Sequence, residues 1–253
     1  MPDIIAATTD GRLGKVAFSS STWADARDAS TASILNVTDT NGDPFAVAAE
    51  NSTARGGVQV VFRYFLAFDT SGVTGTVSSA TITLTSDVTS AAATEIGDII
   101  LVKASKPDLS NNIAAADFDA INGFSTGNTM SGNVIDYSSE FTSMSNTDGA
   151  TNVITLNSNA LTDIENLNVF ALVVVNFDYD YSNTQPSSGT RAYNGLYFAD
   201  TTTNTAYKPK LTYTLATAGA EVAKVDGVAE ANILKVIGVA NANIAKVNGV
   251  DMP

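Results

Sequence analysis

Two strongly apolar runs, residues 58–69 and 79–86, constrain the fold of this chain more than any other feature. The second run alternates apolar side chains with threonines, and a period of two is typical of a strand with one buried face. The first run is apolar on both faces and has one charge in its interior, Arg63, which predicts a strand inside a β-sandwich. A Gly/Ser/Thr-rich connection joins the two runs. Together they predict an all-β domain.

Further short apolar stretches follow the same pattern along the chain. They predict strands at residues 16–18, 34–37, 96–103, 153–156, 168–177, 196–198 and 210–215. Asn111-Asn112 and Asn157 are suited to cap two short helices, predicted over residues 113–122 and 158–166. Many short strands with two short helices predict an all-β, jelly-roll β-sandwich over residues 1–217. A short β-type repeat segment, residues 218–253, follows it.

Composition narrows the range of functions. The 253 residues include no cysteine and no histidine, which excludes disulfides, thiolate metal sites and His-dependent nucleophilic catalysis. We therefore expect a protein that is not an enzyme; a His-free glycan hydrolase or lyase using paired carboxylates is the enzymatic alternative. Lys plus Arg number 13 against 26 Asp plus Glu, which argues against a nucleic-acid partner. No apolar run is long enough to span a membrane.

The beginning of the chain lacks the basic region and longer apolar core of a signal peptide. The acidic surface, rich in Thr, Ser and Asn, is nevertheless suited to a protein that works outside a cell. Synthesis in a host cytoplasm followed by assembly into a virus particle would satisfy both observations.

An 11-residue repeat occupies the C-terminal part of the chain, with the copies EVAKVDGVAEA, NILKVIGVANA and NIAKVNGVDMP. Asp226-Gly227 and Asn248-Gly249 are dipeptides that favour tight β-turns, so the repeat predicts three short β-units. A unit this small cannot bury its own apolar face, and we expect association with the same segment of other copies, as a homotrimer. The residues predicted to mediate this oligomerisation are Val222, Val225, Val228, Ile233, Val236, Val239, Ile244, Val247 and Val250.

The most site-like loop is Asp178-Tyr179-Asp180-Tyr181, at the end of a predicted buried strand. Spaced carboxylates are suitable ligands for Ca²⁺, and tyrosine rings offer flat faces to sugars. This loop is therefore a candidate for glycan or ion binding, with Ca²⁺ as the only cofactor considered. The alternative is an ordinary loop at the edge of the sandwich, with tyrosines that pack locally. No dinucleotide-binding, P-loop, metalloprotease or EF-hand pattern occurs in the sequence.

The segments RYFLAFD, SSATITL, SNALTDIEN, FALVVVNF, GLYFAD and YKPKLTYTL occur in this order over residues 22–215. Their order and spacing resemble the DNRLRE-type domain, a jelly-roll similar to carbohydrate-binding modules and found in bacterial surface proteins and phage structural proteins. The tryptophan-rich central segment common in that family is absent here. The I-x-K-V-x-G-V repeats resemble those that end many phage tail, fibre and capsid-associated proteins.

These resemblances imply a structural protein of a bacteriophage particle, as a capsid-decoration, head-fibre or tail-associated subunit located in the virion. Its partners would be further copies of itself, other virion proteins and host-surface glycans, without nucleic acid or membrane. The alternative is a carbohydrate-binding adhesin module of a cell-surface or secreted protein.

Overall fold

The computed structural model describes residues 2–18, 21–53, 57–142 and 144–216, together with the backbone of six two-residue strands further on. Backbone contacts divide the chain into two compact units, Met1–Thr214 and Leu215–Pro253. Apart from Leu215, the last residue of β11, the first unit contains the strands β1 (Asp3–Ile5), β2 (Gly11–Phe18), β3 (Ile34–Asn36), β4 (Asp43–Ser52), β5 (Val58–Asp69), β6 (Val77–Thr85), β7 (Ile99–Lys103), β8 (Thr151–Thr155), β9 (Val169–Asn176), β10 (Arg191–Leu196) and β11 (Lys210–Leu215), and the helices α1 (Trp23–Arg27) and α2 (Ser158–Asn166).

These strands form a two-sheet sandwich, which confirms the predicted all-β fold. One sheet has four strands in the order β1-β11-β6-β8. The other has seven strands, in which β10-β4-β5-β2-β3 are consecutive neighbours and β9 pairs with both β5 and β7. The strand pairs of the seven-stranded sheet are antiparallel, and so are β1–β11 and β6–β8 in the four-stranded sheet.

Strand β5 is the centre of the larger sheet, and its observed bounds are those predicted from the sequence. Its first half pairs with β2 and β4, and its second half pairs with β9 from Tyr64↔Val174 to Asp69↔Val169. One face carries Tyr64, Leu66 and Phe68 into the core between the sheets. The opposite face belongs to a second cluster, beneath α1 and the loops on the outside of the sheet. Because both faces are covered, β5 is apolar on both sides.

One of the two helices predicted from the sequence is present in the structure. Asn157 caps α2, and its side-chain oxygen accepts hydrogen bonds from the second and third residues of the helix, as predicted. The helix predicted over residues 113–122 is wrong, because only Ala115–Asp117 form a single 3₁₀ turn there. The rest of that segment lies along the end of β7, where Ser105 donates to the Ala120 carbonyl and Asn122 donates to that of Lys103. These long-range hydrogen bonds replace those of a helix.

The second unit contains three antiparallel hairpins, which confirms the predicted β-type repeat segment. Each hairpin pairs two strands of two residues across a two-residue connection. The strands are β12 (Lys224–Val225), β13 (Val228–Ala229), β14 (Lys235–Val236), β15 (Val239–Ala240), β16 (Lys246–Val247) and β17 (Val250–Asp251). Among the described residues, no helix has the length and apolar character that crossing a membrane requires.

Candidate functional site

The predicted loop, residues 178–181, is part of one wide helical turn, Phe177–Tyr181, that follows β9 directly. The side chain of Asn176, the last residue of β9, accepts a hydrogen bond of 2.9 Å from the Tyr179 backbone N–H. Ser182 closes the turn by donating its backbone N–H to the Phe177 carbonyl at 3.2 Å. The four candidate side chains of this turn have different environments: Asp178 is exposed, Tyr179 is half-buried, and Asp180 and Tyr181 are buried.

Asp180, which the sequence makes a candidate for glycan or ion binding, is fully buried. Its two carboxylate oxygens accept hydrogen bonds of 2.8 Å from Nε and Nη2 of Arg63. The Asp180 backbone carbonyl accepts a third, of 2.8 Å, from Nε of Arg27. A carboxylate with this much internal bonding is a counter-ion for buried arginines and has no free side towards solvent.

The two tyrosines also pack locally, as in the alternative interpretation of the loop. Tyr181 is 6% exposed, and its ring stacks on Phe177 with centroids 5.2 Å apart. Its hydroxyl donates to Asp136 at 2.9 Å. Tyr179 is half-buried and donates its hydroxyl to Glu95 at 2.8 Å; burial and this bond raise the Tyr179 pKa to about 12. Tyr181 thus offers no open ring face, and the Tyr179 hydroxyl is already engaged.

Asp178 is the exposed member of the four, and it lies beside two carboxylates that the sequence did not single out as partners. Oxygens of Asp98, Glu140 and Asp178 all lie within 4.8 Å of one another. Burial raises the pKa of Asp98 and that of Glu140, and the neighbouring negative charges raise both further. Three carboxylates at this spacing are the donor type that Ca²⁺ takes. Of the four residues predicted to bind a glycan or an ion, Asp178 is the one that lies in this cluster, and Ca²⁺ binding by the loop stays a prediction.

The predicted oligomerisation residues are divided between described and undescribed parts of the repeat. In the three strand pairs, the described valines are partners as Val225↔Val228, Val236↔Val239 and Val247↔Val250. The remaining predicted positions, Val222, Ile233 and Ile244, lie outside the described residues.

An open groove on the larger sheet is a second candidate site. The face of β5 that carries Tyr64 and Leu66 into the core continues towards its N-terminus as Phe62, Val60 and Val58, which form a separate apolar cluster. A cavity of about 440 Å³ opens above this cluster. The cavity is lined by Arg12, Val16, Phe18, Ile34, Phe45, Glu50, Ser52, Val58, Val60, Phe62, Arg191 and Tyr193.

Aromatic rings form much of the groove wall. Phe45 and Tyr193 meet edge to face with centroids 5.2 Å apart, and Phe18 at the rim is 54% exposed. The Arg12 guanidinium lies 4.5 Å above the Phe62 ring. Gly14 makes room for that ring, since a Cβ at residue 14 would lie 2.4 Å from it.

Each charged group that lines the groove has an oppositely charged partner. Arg12 binds Asp43 at 2.9 Å, and Nε of Arg191 lies 3.5 Å from Glu50. The Tyr193 hydroxyl donates to the same Glu50 carboxylate, and burial together with this bond raises the Tyr193 pKa. Paired polar groups beside aromatic rings suit an uncharged ligand that has apolar faces and hydroxyl edges, such as a sugar.

Sequence reasoning missed the groove because five different strands supply its lining. The register places Ile34, Gly14, Phe62, Ala48 and Tyr193 side by side across the sheet, although they are far apart in sequence. Only the strand order brings them together. No known protein family matches this chain, and no curated protein matches it either.

Proposed function

We propose that this chain is a structural protein of a bacteriophage particle, in which a β-sandwich is joined to C-terminal repeats used for assembly. The observation that carries the proposal is the series of three hairpins, one in every 11-residue copy, that follows the sandwich. A repeated assembly element after a β-sandwich suits a protein that works in many identical copies, such as a capsid-decoration, fibre or tail-associated subunit.

The size of the hairpins supports association between chains. Each hairpin has two residues in each strand. A hairpin this short is not stable alone in water, because it forms too few contacts to offset the conformational entropy of ordering its residues. Packing against the same segment of two further copies would supply the missing contacts, so the proposed assembly is a homotrimer.

The experiment compares the solution mass of three chains by light scattering. The full chain is expected to be a trimer, and a shortened chain that ends at Ala218 is expected to be a folded monomer. A full-length Val225→Asp/Val236→Asp/Val247→Asp variant should also be a monomer, whereas Val88→Asp, at a 52% exposed position of the sandwich, should remain a trimer. Equal masses for the full and shortened chains would reject the repeat as the assembly device.

Location in the particle has its own test. The chain is expected to band with intact phage particles in a density gradient and to be labelled by antibody on their surface. Recovery of the chain only in the soluble fraction would reject the virion proposal.

The groove supports a second candidate function, the binding of surface glycans by the sandwich. It offers aromatic rings and neutral Arg–carboxylate pairs in a cavity of about 440 Å³, whereas Asp180 and Tyr181 of the predicted loop are buried. A glycan array with the full chain would identify a ligand, and calorimetry would measure its affinity. Phe18→Ala is expected to weaken binding about tenfold by removing a rim aromatic. Val88→Ala, equally exposed, should have no effect. Equal affinities for the two variants would reject the groove.

A further inference from the structure

Strand β8 lies at one side of the four-stranded sheet, and among the described strands it pairs with β6 alone. Two hydrogen bonds show which residues of β8 bond to β6 through their backbone. The Ser86 N–H donates to the Ala150 carbonyl at 2.8 Å, and the Leu156 N–H donates to the Ala80 carbonyl at 3.0 Å. Hydrogen-bonded pairs alternate along an antiparallel ladder, so the even-numbered residues of β8 direct their backbone groups towards β6. The backbone groups of Thr151, Val153 and Thr155 therefore point away from the sheet.

The outward edge of β8 is open. No described residue forms a hydrogen bond with the backbone of Thr151, Val153 or Thr155 on this side. All three side chains are exposed, and Val153 is 53% exposed. A notch of about 310 Å³ lies beside Val153–Thr155, between this strand and residues 139–141. The edge thus has both unpaired backbone groups and free space next to it.

The other sheet edges in the described part of the chain are short or covered. The edge strands β1 and β3 have three residues each. Along β10, Thr94 donates to the Arg191 carbonyl and Tyr193 donates to that of Glu95. Along β7, residues 135–141 form four backbone hydrogen bonds at 2.8 to 3.2 Å. Proteins usually protect edges in such ways, or with Lys, Pro or bulges, and β8 (TNVIT) contains none of these features.

We propose that β8 pairs with β8 of a second copy of this chain, antiparallel, with the two-fold axis at Val153. The exposed side chains are Thr151, Val153 and Thr155, and this Thr-Val-Thr order is the same in either strand direction. Two antiparallel copies of the edge therefore place the same residue types opposite each other. The strand has no charged residue, in a chain with a net charge of −13, so two copies can approach here with little repulsion between their contact strands. The pairing would join two four-stranded sheets into one continuous sheet.

This contact is separate from the repeat-mediated assembly of the proposed function. Five residues bury too little surface for a tight dimer by themselves. Each repeat-mediated assembly would carry several β8 edges, so two assemblies joined by one β8 pair would form the next pair at a high effective concentration. The edge would then connect repeat-mediated assemblies laterally.

Disulfide trapping tests the pairing directly, because the chain has no cysteine of its own. In the proposed register Val153 faces Val153 of the other copy, as a hydrogen-bonded pair with Cα atoms about 5.5 Å apart, which a disulfide can span. Full-length Val153→Cys is expected to form a covalent dimer under mild oxidation at least roughly tenfold faster than full-length Val88→Cys. Val88 is a matched control, since it is 52% exposed and lies outside β8. Equal rates would overturn the proposal, and so would pairing of β8 with a different protein, because Val153→Cys would then not link to itself.

Hydrogen exchange supplies a second measurement. The amides of Thr151, Val153 and Thr155 are expected to become protected as the protein concentration rises, in wild type and in Val88→Lys. Val153→Lys should abolish this protection, because lysine on an edge strand opposes further pairing. Concentration-independent exchange in wild type would overturn the proposal. When Val153→Cys is added to the Val225→Asp/Val236→Asp/Val247→Asp variant, the trimer should be lost and covalent dimers should still form. This result would show that the edge contact does not depend on the repeat.

Discussion

The guanidinium of Arg63 binds the carboxylate of Asp180 through two hydrogen bonds of 2.8 Å, although 117 positions separate the two residues. Both side chains are almost completely buried, at 0% and 1% exposure. Arg63 also donates to the carbonyls of Phe118 and Arg27 at 2.9 Å, and its guanidinium lies 4.3 Å from the Phe118 ring. One buried ion pair therefore connects strand β5, helix α1, the segment after β7 and the turn after β9.

Replacement of Asp180 by alanine is expected to destabilise the sandwich by about 3–5 kcal/mol, because it leaves Arg63 buried without a counter-ion. Urea denaturation measures this change in the free energy of unfolding. Asp178→Ala, two residues earlier in the same turn, removes an exposed carboxylate and should change stability by less than about 0.5 kcal/mol. Similar effects of the two substitutions would show that the ion pair does not hold the turn.

The sequence does indicate that a buried carboxylate is needed, but the residue that indicates it is Arg63 and not Asp180. Alternating acids and aromatics at residues 177–181 are typical of both a ligand loop and a buried turn. Arg63, the charge inside an otherwise apolar strand, is the more informative residue, because a buried cation requires a carboxylate partner. The sequence cannot say which of its acids is that partner, since this depends on where the turn after β9 lies over the sheet.

The strands that could be predicted are those whose burial is visible in their composition. Strand β5 and most of β9 are continuous apolar runs, whereas β4 begins with Asp43-Pro44, a dipeptide that favours a turn. In the structure Asp43 accepts hydrogen bonds from Arg12 and from the Phe45 backbone, and these bonds fix the beginning of strand β4. Such a role depends on the neighbouring strand β2. The groove and the carboxylate cluster were missed for the same reason.

Asp10 gives the sandwich a pH dependence. Burial raises the pKa of Asp10 from 3.8 to about 7, although it accepts hydrogen bonds from Tyr64 and from the Ala199 backbone. The folded state therefore binds a proton that the unfolded state releases between about pH 4 and pH 7. We expect stability to fall over this range as the pH rises, by on the order of 4 kcal/mol from this residue.

Thermal or urea unfolding at several pH values measures the Asp10 contribution. Asp10→Asn cannot ionise, so the decrease in stability between pH 4 and 7 should be markedly smaller in this variant. Asp69→Asn, at an exposed position, should retain the wild-type profile. An unchanged slope in Asp10→Asn would mean that another group causes the pH dependence.

Removal of the Asp178 charge is expected to lower the pKa of Asp98 and that of Glu140. Burial is the larger cause of both raised values, but the Asp178 carboxylate contributes to each. Asp178→Asn keeps the side-chain size while removing that repulsion. Carboxyl-carbon NMR titration of the wild type and the variant measures the two values. Unchanged pKa values would show that the three carboxylates lie further apart in solution than 4.8 Å.

Gly14 provides the last prediction, because it connects the sequence of β2 to the shape of the groove. A Cβ at this position would lie 2.4 Å from the Phe62 ring, which is held from above by the Arg12 guanidinium at 4.5 Å. Gly14→Ala must displace the ring, and we expect a loss of about 1–3 kcal/mol in urea denaturation. Gly72→Ala places a Cβ in open space and should be nearly neutral. Equal stability of the two variants would show that Phe62 moves freely, and the groove would then have no fixed floor on which a ligand could rest.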